Sequence, residues 1–368
     1  MQVPAFDITR QNQILEPALQ RAFQTVLQQG HFILGDEVQK FEAQAAAFLG
    51  VRHAVGVANG SDALVLSLMA LGIGPEDEVI VPGFTFFATA SSVSRVGATP
   101  VFVDVSPEDY NIHPQAVKER ITSRTKALMV VDLFGMPAKM NELNKLADAE
   151  GLSIIEDAAQ ALGTRYEDQP VGGIGALGCF SFFPTKNLGC FGDGGMVTTN
   201  QADLADKLRM LRVHGARRKY HHEALGINSR LDTLQAAFLN VKLPYVKSWI
   251  EKRRKIAEIY RQGLAGISGI RLPSEDSGHS YNQFTVQADR REELQNFLTL
   301  NGISTTVYYP MSLHLQPVFA SLGYKPGDLP VSEALTGKVL SLPMFPELTL
   351  EEQKFVIEKM KQFYESKN

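Results

Sequence analysis

SFFPTKNLGCFGDGG, residues 181–195, places one lysine, Lys186, among aromatics, a proline and closely spaced glycines. Short apolar runs flank it, GCFSF (178–182) and MVTT (196–199), so the lysine lies in the connection between two strands. Towards the N-terminus the same kind of run recurs as HAVGVA (53–58), EVIV (78–81), PVFVDV (100–105), KALMVV (126–131) and LSIIED (152–157). Several are apolar at nearly every position, as strands buried on both faces are. Between them SDALVLSLMALG (61–72), TFFATASSVSRVG (85–97) and MNELNKLADAEG (140–151) read as helices closed by glycine, with Ser61 and Thr85 as N-caps. This alternation predicts an α/β fold with an internal, parallel-rich sheet and polar residues on the strand-to-helix turns.

Outside that block, GDEVQKFEAQAAAFLG (35–50) reads as an amphipathic helix with Val38, Phe41, Ala45 and Phe48 on one side, and residues 14–29 as another. After residue 240 the texture changes. Pro244 precedes the charged helix VKSWIEKRRKIAEIYRQ (246–262), and PSEDSGHS (273–280) is turn-rich. YNQFTVQ (281–287) and ISTTVYY (303–309) read as strands, and Thr349-x-x-Glu352 as a capping box opening a final helix. Two units are expected: residues 1–240, and a smaller α+β unit, 241–368.

The chain has 368 residues, 44% hydrophobic and 21% charged, with a formal net charge of −4, so it carries no basic footprint for nucleic acid. The start MQVPAFDITRQNQ lacks the apolar centre of a signal peptide, and no apolar run is long enough to span a bilayer. A cytoplasmic protein is expected, with neither nucleic acid nor membrane as partner. Cys179 and Cys190 form no CxxC pair, and no zinc-like His spacing accompanies them, so no metal site is expected.

Four stretches invite chemistry. Asp157, ending LSIIED, either caps the next helix or faces the crevice where open α/β sheets bind ligands, there to meet a protonated ring nitrogen. Asn59 and Gly60 lead into a helix begun by Ser61 and Asp62, which is either an ordinary capped turn or an anion site. Phe86 is either core or a flat face for a heteroaromatic ring. Lys186 is either a snorkelling surface lysine or a desolvated amine of lowered pKa, able to form a Schiff base with an aldehyde. On the second reading Ser181 assists a phosphate, and the glycines after the lysine let the backbone pass close to a bulky ligand.

Taken together and in this order, these stretches resemble fold type I enzymes that use pyridoxal 5′-phosphate (PLP). GHFILGDEVQKFE, ANGSDAL, PGFTFFATA, VDLFG, EDAAQALG, SFFPTKNLGCFGDGGM, INSRLDTLQAA and LSLPMFP are similar to the DegT/DnrJ/StrS-type nucleotide-sugar aminotransferases over almost the whole chain. The resemblance implies a large domain with a mostly parallel seven-stranded sheet, as in aspartate aminotransferase, and a smaller α+β domain. It implies that Lys186 carries the cofactor and acts as general base and acid. Asp157 would hold the ring nitrogen protonated, Phe86 would stack on the ring, and Gln160 would sit near the ring hydroxyl. Gly60, Ser61, Asp62 and Ser181 would surround the phosphate, and Asn228 would reach the phosphate of a neighbouring subunit. A homodimer with shared active sites follows.

The implied reaction aminates a keto sugar nucleotide, at C3 of a UDP-linked N-acetyl hexuronic acid or a dTDP-linked 6-deoxyhexose, with glutamate as amino donor. Arg230, Tyr309 and His314 would line the sugar site. Arg217, Arg218 and Lys219 either cover the diphosphate or form a solvated charge cluster. Many relatives acting on the hexuronic acid have histidine where this chain has Tyr308. Two rivals remain. One is a PLP-dependent dehydratase or lyase of the same fold, against which Lys186 argues because the family's dehydratases have histidine there. The other is a PLP-binding regulator without turnover, which has no room here for a DNA-reading module.

Overall fold

The computed structural model describes residues 1–365; the last three residues of the expected second unit lie outside the described residues. All seven apolar runs of the first block form strands: β1 His53–Val57, β2 Glu78–Pro82, β3 Thr99–Val103, β4 Thr125–Val131, β5 Ser153–Asp157, β6 Leu177–Ser181 and β7 Gly195–Thr199. They build one seven-stranded sheet in the order β1-β7-β6-β5-β4-β2-β3. The ladders from β6 to β3 are parallel, and β7 runs antiparallel to both its neighbours. The fold is therefore α/β with a mostly parallel sheet.

Side-chain alternation sends Val79 and Val81 of β2 into one core and Ile80 into another on the opposite face. Helices α3 Gly60–Ala70 and α4 Phe87–Arg95 cover the first face. On α2, Asp36–Leu49, Val38, Phe41 and Ala45 are buried as expected, whereas Phe48 is only partly covered. The expected caps are displaced by one or two residues. Asn59 caps α3, its Oδ1 accepting from the Asp62 amide at 2.8 Å, which leaves Ser61 inside the first turn. Phe86 occupies the cap position of α4, and the Thr85 hydroxyl bonds Thr89 instead.

A second, antiparallel sheet joins β8 Ile270–Arg271, β9 Phe284–Ala288 and β10 Val339–Leu342. ISTTVYY does not become a strand. Ile303 and Thr306 make isolated bridges to Val3 and Ser341, because Ile303 is drawn into the core of this unit while Tyr308 and Tyr309 turn towards a cleft. Val3 packs in the same core, so the start of the chain lies against its C-terminal part. The fully buried Arg253 donates from one guanidinium nitrogen to the carbonyls of Tyr281, Asn282 and Met344 at 3.1, 3.3 and 3.1 Å.

The final helix, Leu350–Glu365, opens on the expected box: the Thr349 amide donates to Glu352 and the Glu352 amide to Thr349 Oγ1. Arg10, near the other end of the chain, donates to both oxygens of Glu352 at 2.9 and 2.7 Å and holds its carboxyl down at about 2. A carboxylate depressed in the fold stabilises above its unfolded value of 4.5 and loses that contribution as the pH falls through its folded one. In urea unfolding across pH, the stability difference between wild type and Arg10→Met should therefore be full above about 4.5 and shrink towards about 2. A pH-independent difference contradicts this.

Candidate active site

A cleft of about 410 Å³ lies beyond the carboxyl ends of β1, β2, β4, β5 and β6, where open α/β sheets gather ligands. Gly60, Ser61, Phe86, Asp157, Gln160, Ser181, Lys186 and Tyr309, eight of the residues singled out from sequence, line it.

Lys186 is presented by a loop pinned at both ends, with the Phe182 amide on the Gly194 carbonyl (2.7 Å) and the Cys190 amide on the Phe182 carbonyl (2.8 Å). Next to it, the buried Asn187 donates to the Leu162 carbonyl at 3.2 Å. Three of the loop glycines are required by protein packing. A Cβ on Gly189 would lie 2.5 Å from the Pro184 carbonyl oxygen, one on Gly194 would lie 2.5 Å from Cys190 Sγ, and one on Gly195 would collide with the Asn59 backbone. Lys186 is half-buried and lines the cleft. Desolvation pushes its amine down to about 8, against the opposing pull of Asp157.

Asp157 ends β5 and is 5% exposed. Thr89 donates its hydroxyl to Oδ2 at 2.8 Å, and the Ala159 amide donates to Oδ1 at 3.3 Å. Burial raises its pKa, and the Thr89 and Ala159 bonds and Lys186 oppose that rise. Thr89 was not foreseen, since only the register of α4 against β5 brings it there. The preceding residue, Glu156, points away from the cleft and accepts three backbone amides, from Gly172, Ile174 and Gly175, at 2.7, 2.8 and 2.6 Å.

At the start of α3 the amides of Asp62 and Ala63 are taken by Asn59, leaving those of Gly60 and Ser61 as the free donors of the first turn. Ser181, at the end of β6, approaches so closely that a Cβ on Gly60 would lie 2.7 Å from its own. Two helix amides and two serines thus form an anion cradle. Asp62 does not line the cleft, because its amide is spent on the cap.

Opposite, Phe86 (54% exposed) and Tyr309 face each other obliquely with ring centroids 6.1 Å apart. Gln160 accepts from the Phe134 amide at 2.7 Å and donates to the Tyr309 hydroxyl at 3.0 Å. Tyr308, Thr185, Asp193 and Gln283 also line the cleft, of which sequence reasoning had marked only position 308. His314 does not. Its ring, 1% exposed, packs between Phe102 and Tyr324 and meets Glu333 at 3.1 Å, because the apolar residues around it insert into the core. Asn228 is exposed and Arg230 half-buried, both away from this chain's own cleft. Arg217 and Arg218 stand on an exposed β-ribbon, Ala216–Arg218 with His221–His222, where Arg217 pairs with Glu223. Among the described residues no cluster of metal-ligating side chains occurs, and no helix is long and apolar enough to cross a membrane.

The chain is 50% identical over 99% of its own length and 99% of the partner sequence to a Geobacillus stearothermophilus protein named pleiotropic regulatory protein. It is 46% identical, over 95% of each, to the UDP-N-acetyl-3-dehydro-alpha-D-glucosamine 3-aminotransferase of Acidithiobacillus ferrooxidans. The crystal structure of S. venezuelae DesV in complex with a ketimine intermediate superposes with a TM-score of 0.97, at 45% identity and 99% coverage of both chains. The model of the DegT/DnrJ/EryC1/StrS aminotransferase family matches residues 13–361. The chain therefore belongs to the DegT/DnrJ/EryC1/StrS aminotransferase family, and its cofactor is pyridoxal 5′-phosphate.

Proposed function

We propose that this enzyme transfers an amino group from glutamate to a keto sugar nucleotide, yielding an amino sugar nucleotide, and that it does so in the cytoplasm as a two-fold dimer. The observation that carries the reading is the convergence, in one cleft between residues 1–240 and 241–368, of a desolvated lysine amine, a buried carboxylate, a free aromatic face and an anion cradle.

The donors present fit the cofactor. Gly60, Ser61 and Ser181 would take its phosphate, Asp157 its ring nitrogen, Phe86 a ring face and Lys186 its aldehyde carbon. Gln160, whose carbonyl is engaged by Phe134 and one amide hydrogen by Tyr309, has its second amide hydrogen for the ring hydroxyl. When bound, the cofactor supplies a carbonyl that exchanges the amino group and a ring that accepts the electron pair left when a proton departs. Lys186 would take the proton from the donor carbon and deliver it to the former aldehyde carbon of the cofactor, and in the second half of the cycle would move a proton from that carbon to the sugar carbon; an amine lowered to about 8 is suited to both directions. The Asp157 carboxylate, held by Thr89, favours a protonated ring nitrogen.

The dimer rests on what this chain leaves uncovered. Phe183 and Phe191 near the lysine, Phe32 and Ile33, and Phe23 and Leu27 of the first helix are exposed apolar residues. A two-fold partner would bury them and would bring Asn228, Arg230 and the basic ribbon to the other cleft. The substrate class rests on relatives such as the A. ferrooxidans aminotransferase.

Two outcomes are expected. Purified enzyme should absorb visible light, glutamate should shift the spectrum to that of the amine form, and a keto sugar nucleotide should restore it; Lys186→Ala should abolish the cycle. Failure of every amino acid to convert the cofactor favours a lyase, and conversion without return by any sugar nucleotide favours a regulator. Secondly, capture of PLP by the apoenzyme should rise with pH through about 8, and Asp157→Asn, which removes the pull that holds the amine pKa up, should move that midpoint lower. A midpoint near the ordinary lysine value contradicts the desolvated amine.

A further inference from the structure

Two threonines run from the wall of the cleft to the buried carboxylate. The Thr89 hydroxyl donates to Asp157 Oδ2 at 2.8 Å and lies 3.3 Å from the Thr85 hydroxyl. Both residues are buried, and Thr85 also lines the cleft. Neither hydroxyl serves the start of α4. The cap position there belongs to Phe86, and no side chain caps the helix, although Thr85 stands just before that position and Thr89 in the first turn. A threonine at such a helix start ordinarily spends its oxygen on a free backbone amide. Here both hydroxyls are turned to the carboxylate instead.

The direction of the line follows from counting hydrogens. A hydroxyl has one hydrogen to give and two lone pairs with which to receive. With Asp157 ionised, the Thr89 hydrogen is spent on Oδ2, so the contact between the two threonines is made with Thr85 as donor. Hydrogen bonds in such a line polarise one another, and a bond to an ionised acceptor is about twice as strong as one to a neutral acceptor. Among the described residues the Asp157 carboxylate has one further hydrogen bond, from the Ala159 amide at 3.3 Å. The shorter bond, from Thr89, is therefore the stronger support of the ionised form.

We infer that Thr85 and Thr89 form a line of two hydroxyls that keeps Asp157 ionised and aimed for the ring nitrogen of the cofactor. Thr89 is the positioning residue, and Thr85 acts through it. The inference rests on the reading above in which Asp157 meets that nitrogen.

The test titrates the full chain, stripped of cofactor, with PLP and with its deaza analogue, in which C–H replaces the ring nitrogen. Both ligands offer Lys186 the same aldehyde, and only PLP engages the carboxylate. Wild type should hold PLP about tenfold or more tighter than the analogue, the worth of a hydrogen bond to a charged group. Thr89→Val, which keeps the shape of the side chain, should cut that preference to within about threefold with analogue affinity nearly unchanged, and Thr89→Ser should restore it. Thr85→Val should lower the preference about twofold when Thr89 is present and leave it unchanged in Thr89→Val. A Thr89→Val chain that loses both ligands equally, as for a packing role alone, overturns the inference, and so does one that keeps the full preference. A Thr85→Val effect that is absent, or equal with and without Thr89, overturns it as well. If wild type does not distinguish the two ligands, the contact between Asp157 and the ring nitrogen falls too.

Discussion

A lysine amine and an aspartate carboxylate are kept out of water in the same cleft, and among the described residues no ion pair joins them. Each is shifted chiefly by burial, the amine downward and the carboxyl upward, so burial disfavours the charged form of both. Such an arrangement is costly unless a third group offsets both, as a planar cofactor with an aldehyde at one position and a basic nitrogen at another would. The rest of the fold serves to hold this geometry. The buried sheet fixes Asp157 at a strand end, the lysine loop is locked by its own glycines, and Thr89 orients the carboxylate from the neighbouring helix.

The same logic explains the polarity of the cleft from end to end. At one end, two free helix amides and two serine hydroxyls attract negative charge without a cationic side chain. At the other end, Tyr308, Tyr309, Thr185 and Gln283 line the cleft without a charged side chain among them. The basic ribbon and the INSR segment lie outside this chain's own cleft, where only a second subunit would make them part of the site.

The seven strands of the main sheet were legible because burial on both faces writes itself as continuous apolar runs. Strand direction was not, since nothing in MVTT shows that it runs against its neighbours. The smaller unit was harder. ISTTVYY has strand composition but bends from core to cleft after two bridges, and Val339–Leu342, four residues directly following a helix, carries no turn signal of its own. In the site, residues whose type was unusual for their setting, Lys186 and Asp157, could be read directly. Thr89, Thr185 and Gln283 are ordinary residues that only tertiary register brings to Asp157 or to the cleft. His314 was expected at the sugar site only through the family resemblance, whereas Leu313 and Leu315 flank it and its ring packs against Phe102 in the core.

Borohydride treatment of the cofactor-loaded protein followed by peptide mass spectrometry tests the central claim most directly. The account predicts one phosphopyridoxyl adduct, carried by Lys186 in the peptide containing SFFPTKNLG. An adduct on any other lysine, or none after saturation with cofactor, would contradict it.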